Sequence, residues 1–146
     1  MARVFSLEDG NLSTKPIIVS RAKEYLDVDL SFSAKVGGDI FKKTEAASVK
    51  QGVKTLLMTN NGEKPFDFEY GGDLNNFLFE NLEDLDEDEI SDIISSAITN
   101  YEPRAVFQAV NAHILPDYNS IQLTIYFRII NTMENEVLNL ELTRLR

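Results

Sequence analysis

The 146-residue chain has no cysteine, no tryptophan and a single histidine. The missing cysteine excludes a disulfide framework, thiolate zinc sites, thiol nucleophiles and thiol redox chemistry, and is compatible with a reducing compartment. The lone His113, at the strand parity of Asn111 and Leu115, offers neither a multi-histidine metal site nor the base of a triad. No segment approaches the roughly 20 apolar residues of a membrane helix. The start, Met1-Ala2-Arg3-Val4-Phe5, lacks the apolar core of a secretory signal, so neither export by a signal peptide nor a membrane span is expected. Glycine is sparse, and the pairs Gly37-Gly38 and Gly71-Gly72 lack the Lys-Ser/Thr of a phosphate loop, so they read as turns. There is no internal repeat and no low-complexity tract.

What is present is enough apolar material for one domain. Hydrophobic residues make up 43% of the chain, and a globule of this length hides roughly 70% of the surface its unfolded chain exposes. The net charge is −10, but it is local. Residues 1–79 carry 11 acidic and 10 basic side chains, residues 80–92 carry eight acidic and none basic, and the remainder carries five and four. The run is Glu80, Glu83, Asp84, Asp86, Glu87, Asp88, Glu89 and Asp92. It reads as the solvated start of a helix, where carboxylates meet exposed N–H groups, with Asp86 as cap and Glu89 at capping-box spacing. A calcium loop is disfavoured because no glycine marks its turn. A docking face for a basic partner stays open. The acidic excess argues against generic binding to nucleic acid or anionic lipid.

Residues 1–24 show no periodicity and read as an irregular arm, with residues 25–146 forming a single α+β domain. Leu26, Val28, Leu30 and Phe32 alternate with polar residues, the pattern of a half-buried strand ended by Gly37-Gly38. Thr44 caps a helix whose apolar face is Ala46, Val49, Val53, Leu56 and Leu57, with Lys50 and Lys54 toward water and Gly52 costing about 1 kcal/mol relative to alanine. A glycine-punctuated aromatic connection and a short helix through Phe77, Leu78 and Leu82 follow. Ile90, Ile93, Ile94, Ala97, Ile98 and Tyr101 then make the strongest helical stripe, stopped by Pro103. Val106, Val110 and Ile114 predict one face of a strand. A turn at 116–120 leads to a partner bearing Ile121, Leu123, Ile125, Phe127 and Ile129. Leu138, Leu140 and Leu142 predict a last strand. The expected fold is α+β, a small, mostly antiparallel sheet with helices packed on one face.

No catalytic constellation emerges. Carboxylates are abundant, and Glu80 beside Phe77-Leu78-Phe79 is the one candidate for an apolar-shifted acid. At Glu102-Pro103-Arg104 proline fixes its own φ and biases Glu102 out of the helix, so the two charges fall on the same side of a local bend. There they can pair with each other or reach a partner. On physics alone an exposed pair of small energetic weight is preferred.

Taken together, Lys64-Pro65-Phe66-Asp67, Tyr70-Gly71-Gly72-Asp73-Leu74, Leu78-Phe79-Glu80-Asn81 and Asn100-Tyr101-Glu102-Pro103-Arg104 resemble the baseplate wedge and tail-sheath initiator family of contractile phages. That family has relatives in T-even phage baseplates and type VI secretion baseplates, and the resemblance runs from about Asn61 past Val106. The doubled glycine departs from its usual aromatic-Gly pattern. The resemblance implies a non-enzymatic virion component, without metal or cofactor, that joins the wedge core bundle to the first sheath ring and initiates sheath assembly. It places Glu102, Pro103 and Arg104 against the helical core bundle of neighbouring wedge proteins. It attributes sheath contact to strand pairing, for which Val137, Leu138, Asn139, Leu140, Glu141, Leu142 and Thr143 are the candidate edge. The expected partners are baseplate wedge proteins and the tail sheath protein, with no nucleic acid and no membrane. The chain is expected to be monomeric when free, built into a ring-shaped baseplate in the virion, and present in the host cytoplasm during assembly. Arg104→Ala is expected to leave a folded monomer that fails to join the wedge. Because family members have been described as lysozyme-like, a cell-wall hydrolase using Glu80 or Glu102 is the alternative. A regulatory adaptor of the same fold is another.

Overall fold

The computed structural model describes residues 24–81 and 85–144. The arm expected over residues 1–24, Glu24 apart, and Leu82 lie outside them. The elements run β1 (Leu26–Val28), β2 (Lys42–Thr44), α1 (Glu45–Met58), a 3-10 turn (Asn76–Phe79), α2 (Glu87–Tyr101), β3 (Ala105–Leu115), a second 3-10 turn (Pro116–Tyr118), β4 (Ser120–Ile129) and β5 (Asn135–Thr143). The strands form two antiparallel sheets, β1-β2 and β3-β4-β5. The architecture is α+β, as the patterning predicts.

The core lies between the two helices and one face of the larger sheet. Strict alternation on β4 turns Ile121, Leu123, Ile125, Phe127 and Ile129 inward, where each is essentially inaccessible to solvent. Leu138, Leu140 and Leu142 do the same on β5. Ile90, Ile94, Ala97 and Ile98 pack onto them from α2, and Val49, Val53, Leu56 and Leu57 from α1, in one continuous cluster. Central β4 therefore carries the most deeply buried strand face, and Phe127→Ala, which removes its largest side chain, is expected to cost about 3–5 kcal/mol by chemical denaturation. Asp86 caps α2 through its carboxylate, which accepts from the Asp88 N–H at 3.1 Å, one residue short of the capping-box partner Glu89. The acidic residues Glu87, Asp88 and Glu89 fill the first turn.

Three expectations are corrected. Only Leu26–Val28 of the 26–32 pattern forms a strand, and its parity is inverted: Leu26 is 56% and Phe32 65% exposed, while Asp27 and Asp29 face the protein. The short helix is a 3-10 turn, burying Phe77 and Leu78. On β3, Val106 does not share the face of Val110 and Ile114. A bulge between Phe107 and Ala109 inserts Gln108, so the inward set is Ala105 and Phe107 before it and Val110, Ala112 and Ile114 after it.

Candidate functional site

The end of α2 is fastened rather than frayed. The Glu102 N–H donates to Ile98 O at 2.9 Å and completes the last helical turn, and Ala105 N–H donates to Glu102 O at 3.1 Å across an exposed Pro103. Proline at the second position of such a turn supplies the required φ in advance. The reversal swings Arg104 back over Glu102. Its guanidinium grips the carboxylate with both prongs, Nε to Oε1 at 2.7 Å and Nη2 to Oε2 at 2.8 Å. This bidentate geometry is the strongest form of the contact. Glu102 is only 6% exposed, so the expectation of an exposed pair of little weight is overturned.

The remaining guanidinium nitrogen reaches a residue the sequence did not mark. Arg104 Nη1 donates to Asp27 Oδ2 at 2.8 Å, and Ser48 Oγ donates to the same oxygen at 2.6 Å. Ser48 Oγ also accepts from Nη1 at 3.3 Å, and the guanidinium lies 5.8 Å from the Tyr25 ring centroid. One arginine thus joins α2, α1 and β1. This explains the inverted parity of the first hairpin: its acidic side is the side with partners. Hydrogen bonds to Glu102 first, then to Asp27, raise the Arg104 pKa above its usual value. Burial pushes the Asp27 carboxyl up, but the bonds from Ser48 and Arg104 outweigh it and hold the group below its ordinary value. A depressed acid stabilises the fold above its unfolded pKa and loses that contribution as pH falls through the folded value. Acid unfolding below about pH 4 is therefore expected to be shallower in Asp27→Asn than in the wild type, as followed by circular dichroism.

Gly52 joins Asp27 and Ser48 among the residues whose role the sequence did not mark. A Cβ built on it would sit 2.5 Å from Glu102 Oε2 and 2.6 Å from Arg104 Nη2. What reads in the sequence as a tolerated helix defect is the floor beneath the ion pair. Ser48 and Gly52, four apart on one helical face, were the available signal: two small residues where a bulkier face is usual. Gly→Ala inside a helix ordinarily gains about 1 kcal/mol. Here the methyl must displace a locked pair, and Gly52→Ala is expected to lower stability by about 2 kcal/mol in urea titration.

The Lys64–Gly72 segment packs beside this corner. Lys64 Nζ bonds Asp67 at 2.8 Å and lies 3.9 Å from the Tyr70 ring centroid, and Tyr70 meets Tyr101 edge-on at 5.2 Å. Phe66 and Phe68 are turned outward, 100% and 72% exposed. Gly71, at φ +143°, lets the chain pass over Thr59 at the end of α1.

The candidate strand residues Val137–Thr143 all fall on β5, which pairs with β4 on one side and forms an edge of the three-stranded sheet. Its register is regular throughout, whereas the opposite edge, β3, carries the bulge. Glu80 is exposed beside an exposed Phe79, so the apolar enclosure expected of it is absent. Both oxygens of Glu102 are held by Arg104, which leaves neither aimed at a sugar oxygen. His113 is exposed and pairs across the sheet with Gln122. Among the described residues no group of three or more His, Cys, Asp or Glu side chains is arranged to hold a metal.

A helix end riveted to two other elements, in a domain that also carries a regular sheet edge, defines a scaffold module: a small α+β domain whose geometry holds surfaces in fixed relation. Comparison with known proteins narrows this. Residues 43–134 match the family described as baseplate wedge protein gp25, and the chain belongs to that family. Baseplate wedge protein gp25 of Enterobacteria phage T4 is 35% identical over 106 residues, which is 73% of this chain and 79% of that protein. A chain in the baseplate of the anti-feeding prophage superposes with a TM-score of 0.63 at 23% identity, over 77% of this chain and 91% of its own. A Geobacter sulfurreducens chain provisionally described as a tail lysozyme gives 0.58 at 17% identity, over 67% and 89%. These two likenesses show the fold. The class is therefore a baseplate wedge protein of a contractile tail.

Proposed function

We propose that this chain is a non-enzymatic virion component that joins the wedge core bundle to the first ring of sheath subunits and starts sheath assembly by strand pairing along β5. The observation that carries the reading is the edge itself. β5 offers nine residues in unbroken register, and a strand added there would satisfy edge N–H and C=O groups. Val137, Asn139, Glu141 and Thr143 present the outward side of that edge and Leu138, Leu140 and Leu142 the inward side. The bulge at Gln108 makes β3 the poorer template. In this reading the partners are wedge proteins and the sheath protein, met in the host cytoplasm during assembly.

The wedge side is assigned to the corner at Glu102, Pro103 and Arg104. Because Glu102 and Arg104 are engaged with each other, the residue that meets the core bundle most openly is Pro103, held at the apex of the turn. Pro103→Glu places a charge at that apex without touching the ion pair. It is expected to shift stability by about 1 kcal/mol or less and to reduce incorporation into wedges, as measured by co-sedimentation.

Reconstitution tests the junction role. Baseplates assembled without this chain are supplemented with it and with sheath subunits. Sheath should grow only from supplemented baseplates, and growth at equal rate without the chain overturns the proposal.

A further inference from the structure

A trough of about 770 Å³ opens beside α1, walled by Asp29 and Leu30 of the first hairpin, Lys50, Lys54 and Met58 of the helix, and Leu138 of β5. Its floor is apolar and its rim is cationic, in a chain whose net charge is −10. Lys43, which also lines it, is 3.5 Å from Asp29, and Lys50 is 3.4 Å from Glu136 at the start of β5. Lys54 is exposed and carries no ion pair among the described residues. The trough meets β5 at Leu138, which lines it.

We infer that this trough receives the inward-facing side chains of the strand that adds to β5, and that this strand carries apolar and acidic residues at alternate, same-side positions. The inference rests on the strand-pairing reading above and adds the chemistry of the partner to it. A strand laid along β5 turns every second side chain toward the helix layer. Those side chains meet Leu30, Met58 and Leu138, which favour apolar groups, and the Lys50 and Lys54 ammonium groups, which favour carboxylates. The two lysines are one helical turn apart, about 6 Å, close to the roughly 7 Å between same-side residues of a strand. On the outward side Glu141 disfavours an acidic residue opposite it, so the acids belong on the trough side only. Backbone pairing then supplies affinity, and the trough supplies register, since a slip of one residue would carry the acids away from the lysines.

The test uses baseplates carrying wild-type, Lys54→Glu or Lys54→Arg chain, with sheath growth followed by light scattering and β5 amide exchange measured on wild type with and without sheath. Lys54→Glu should slow initiation roughly tenfold, Lys54→Arg should retain the wild-type rate, and all three chains should unfold at the same temperature. Initiation by Lys54→Glu at the wild-type rate, with β5 gaining protection, overturns the trough inference and leaves strand pairing standing. Failure of β5 to gain protection overturns the strand reading itself. A Lys54-dependent dimer of the free chain in sedimentation would make the occupant a second copy, offering its own acidic run, and would likewise overturn the inference.

Discussion

Arg104→Ala should unfold about 6–12 °C below the wild type, a loss of about 3 kcal/mol in a domain of this size. The truncation leaves the Glu102 carboxylate buried without its guanidinium and takes from Asp27 its bond to Arg104. Removing one member of a buried pair is costly because the other remains desolvated, whereas replacing both by apolar groups is cheap. The double variant Glu102→Leu/Arg104→Met should therefore lose less than the sum of its two singles, and a thermal double-mutant cycle measures the difference. Arg104→Lys keeps the charge but loses the fork and should fall between. Arg104→Ala is thus expected to remain a folded but less stable monomer, and a failure of that variant to assemble would not by itself locate a partner. Pro103→Glu separates the two effects.

Gly71→Ala should be comparably damaging for a different reason. The added Cβ would lie 2.5 Å from the Thr59 carbonyl oxygen, a backbone atom, at a φ of +143° that side-chain-bearing residues rarely adopt. No rotamer change relieves that contact. The loop must lift, breaking the bonds that Gly72 N–H and Asp73 N–H make to Thr59 O and drawing Leu74, 1% exposed, from the core. A cost of about 3 kcal/mol is expected, seen as a lower urea midpoint at unchanged slope. Alanine at Gly62, whose Cβ would meet nothing within 4 Å, should cost less although its φ is also positive, +84°.

The helices and the central hairpin were legible in the sequence because burial there follows a single period. The stripe Ile90 to Tyr101 and the alternations on β4 and β5 place apolar residues on one side, and the core takes that side. The failures share a cause. Periodicity assumes that the apolar face is the inner one, and in the first hairpin a partly buried guanidinium 77 residues away makes the acidic face the inner one. On β3 a single extra residue, Gln108, reverses the parity of what precedes it. The candidate site was half visible. Pro103 and the spacing of Glu102 and Arg104 predicted that the two charges would share a side, but Asp27, Ser48 and Gly52 acquire their roles only through contacts between elements distant in sequence. Val137–Thr143 lie on β5, which pairs with β4 alone among the described strands and so stands at an edge of the three-stranded sheet.

What the fold does for assembly follows from how its parts are fixed. The Arg104 clamp ties the corner proposed to face the wedge to the first hairpin, and α1 links that hairpin to β5 through Lys50 and Glu136. On the proposed junction role, a corner and an edge held on one core would transmit position from wedge to sheath. The most direct measurement is hydrogen exchange of β5 in the free chain and in baseplates bearing their first sheath ring. The account predicts that about half of the amides of Val137–Thr143, those directed away from β4, become slowly exchanging when sheath is added, while β3 changes little. Edge amides of β5 that exchange as fast beneath the sheath as in the free chain would contradict it.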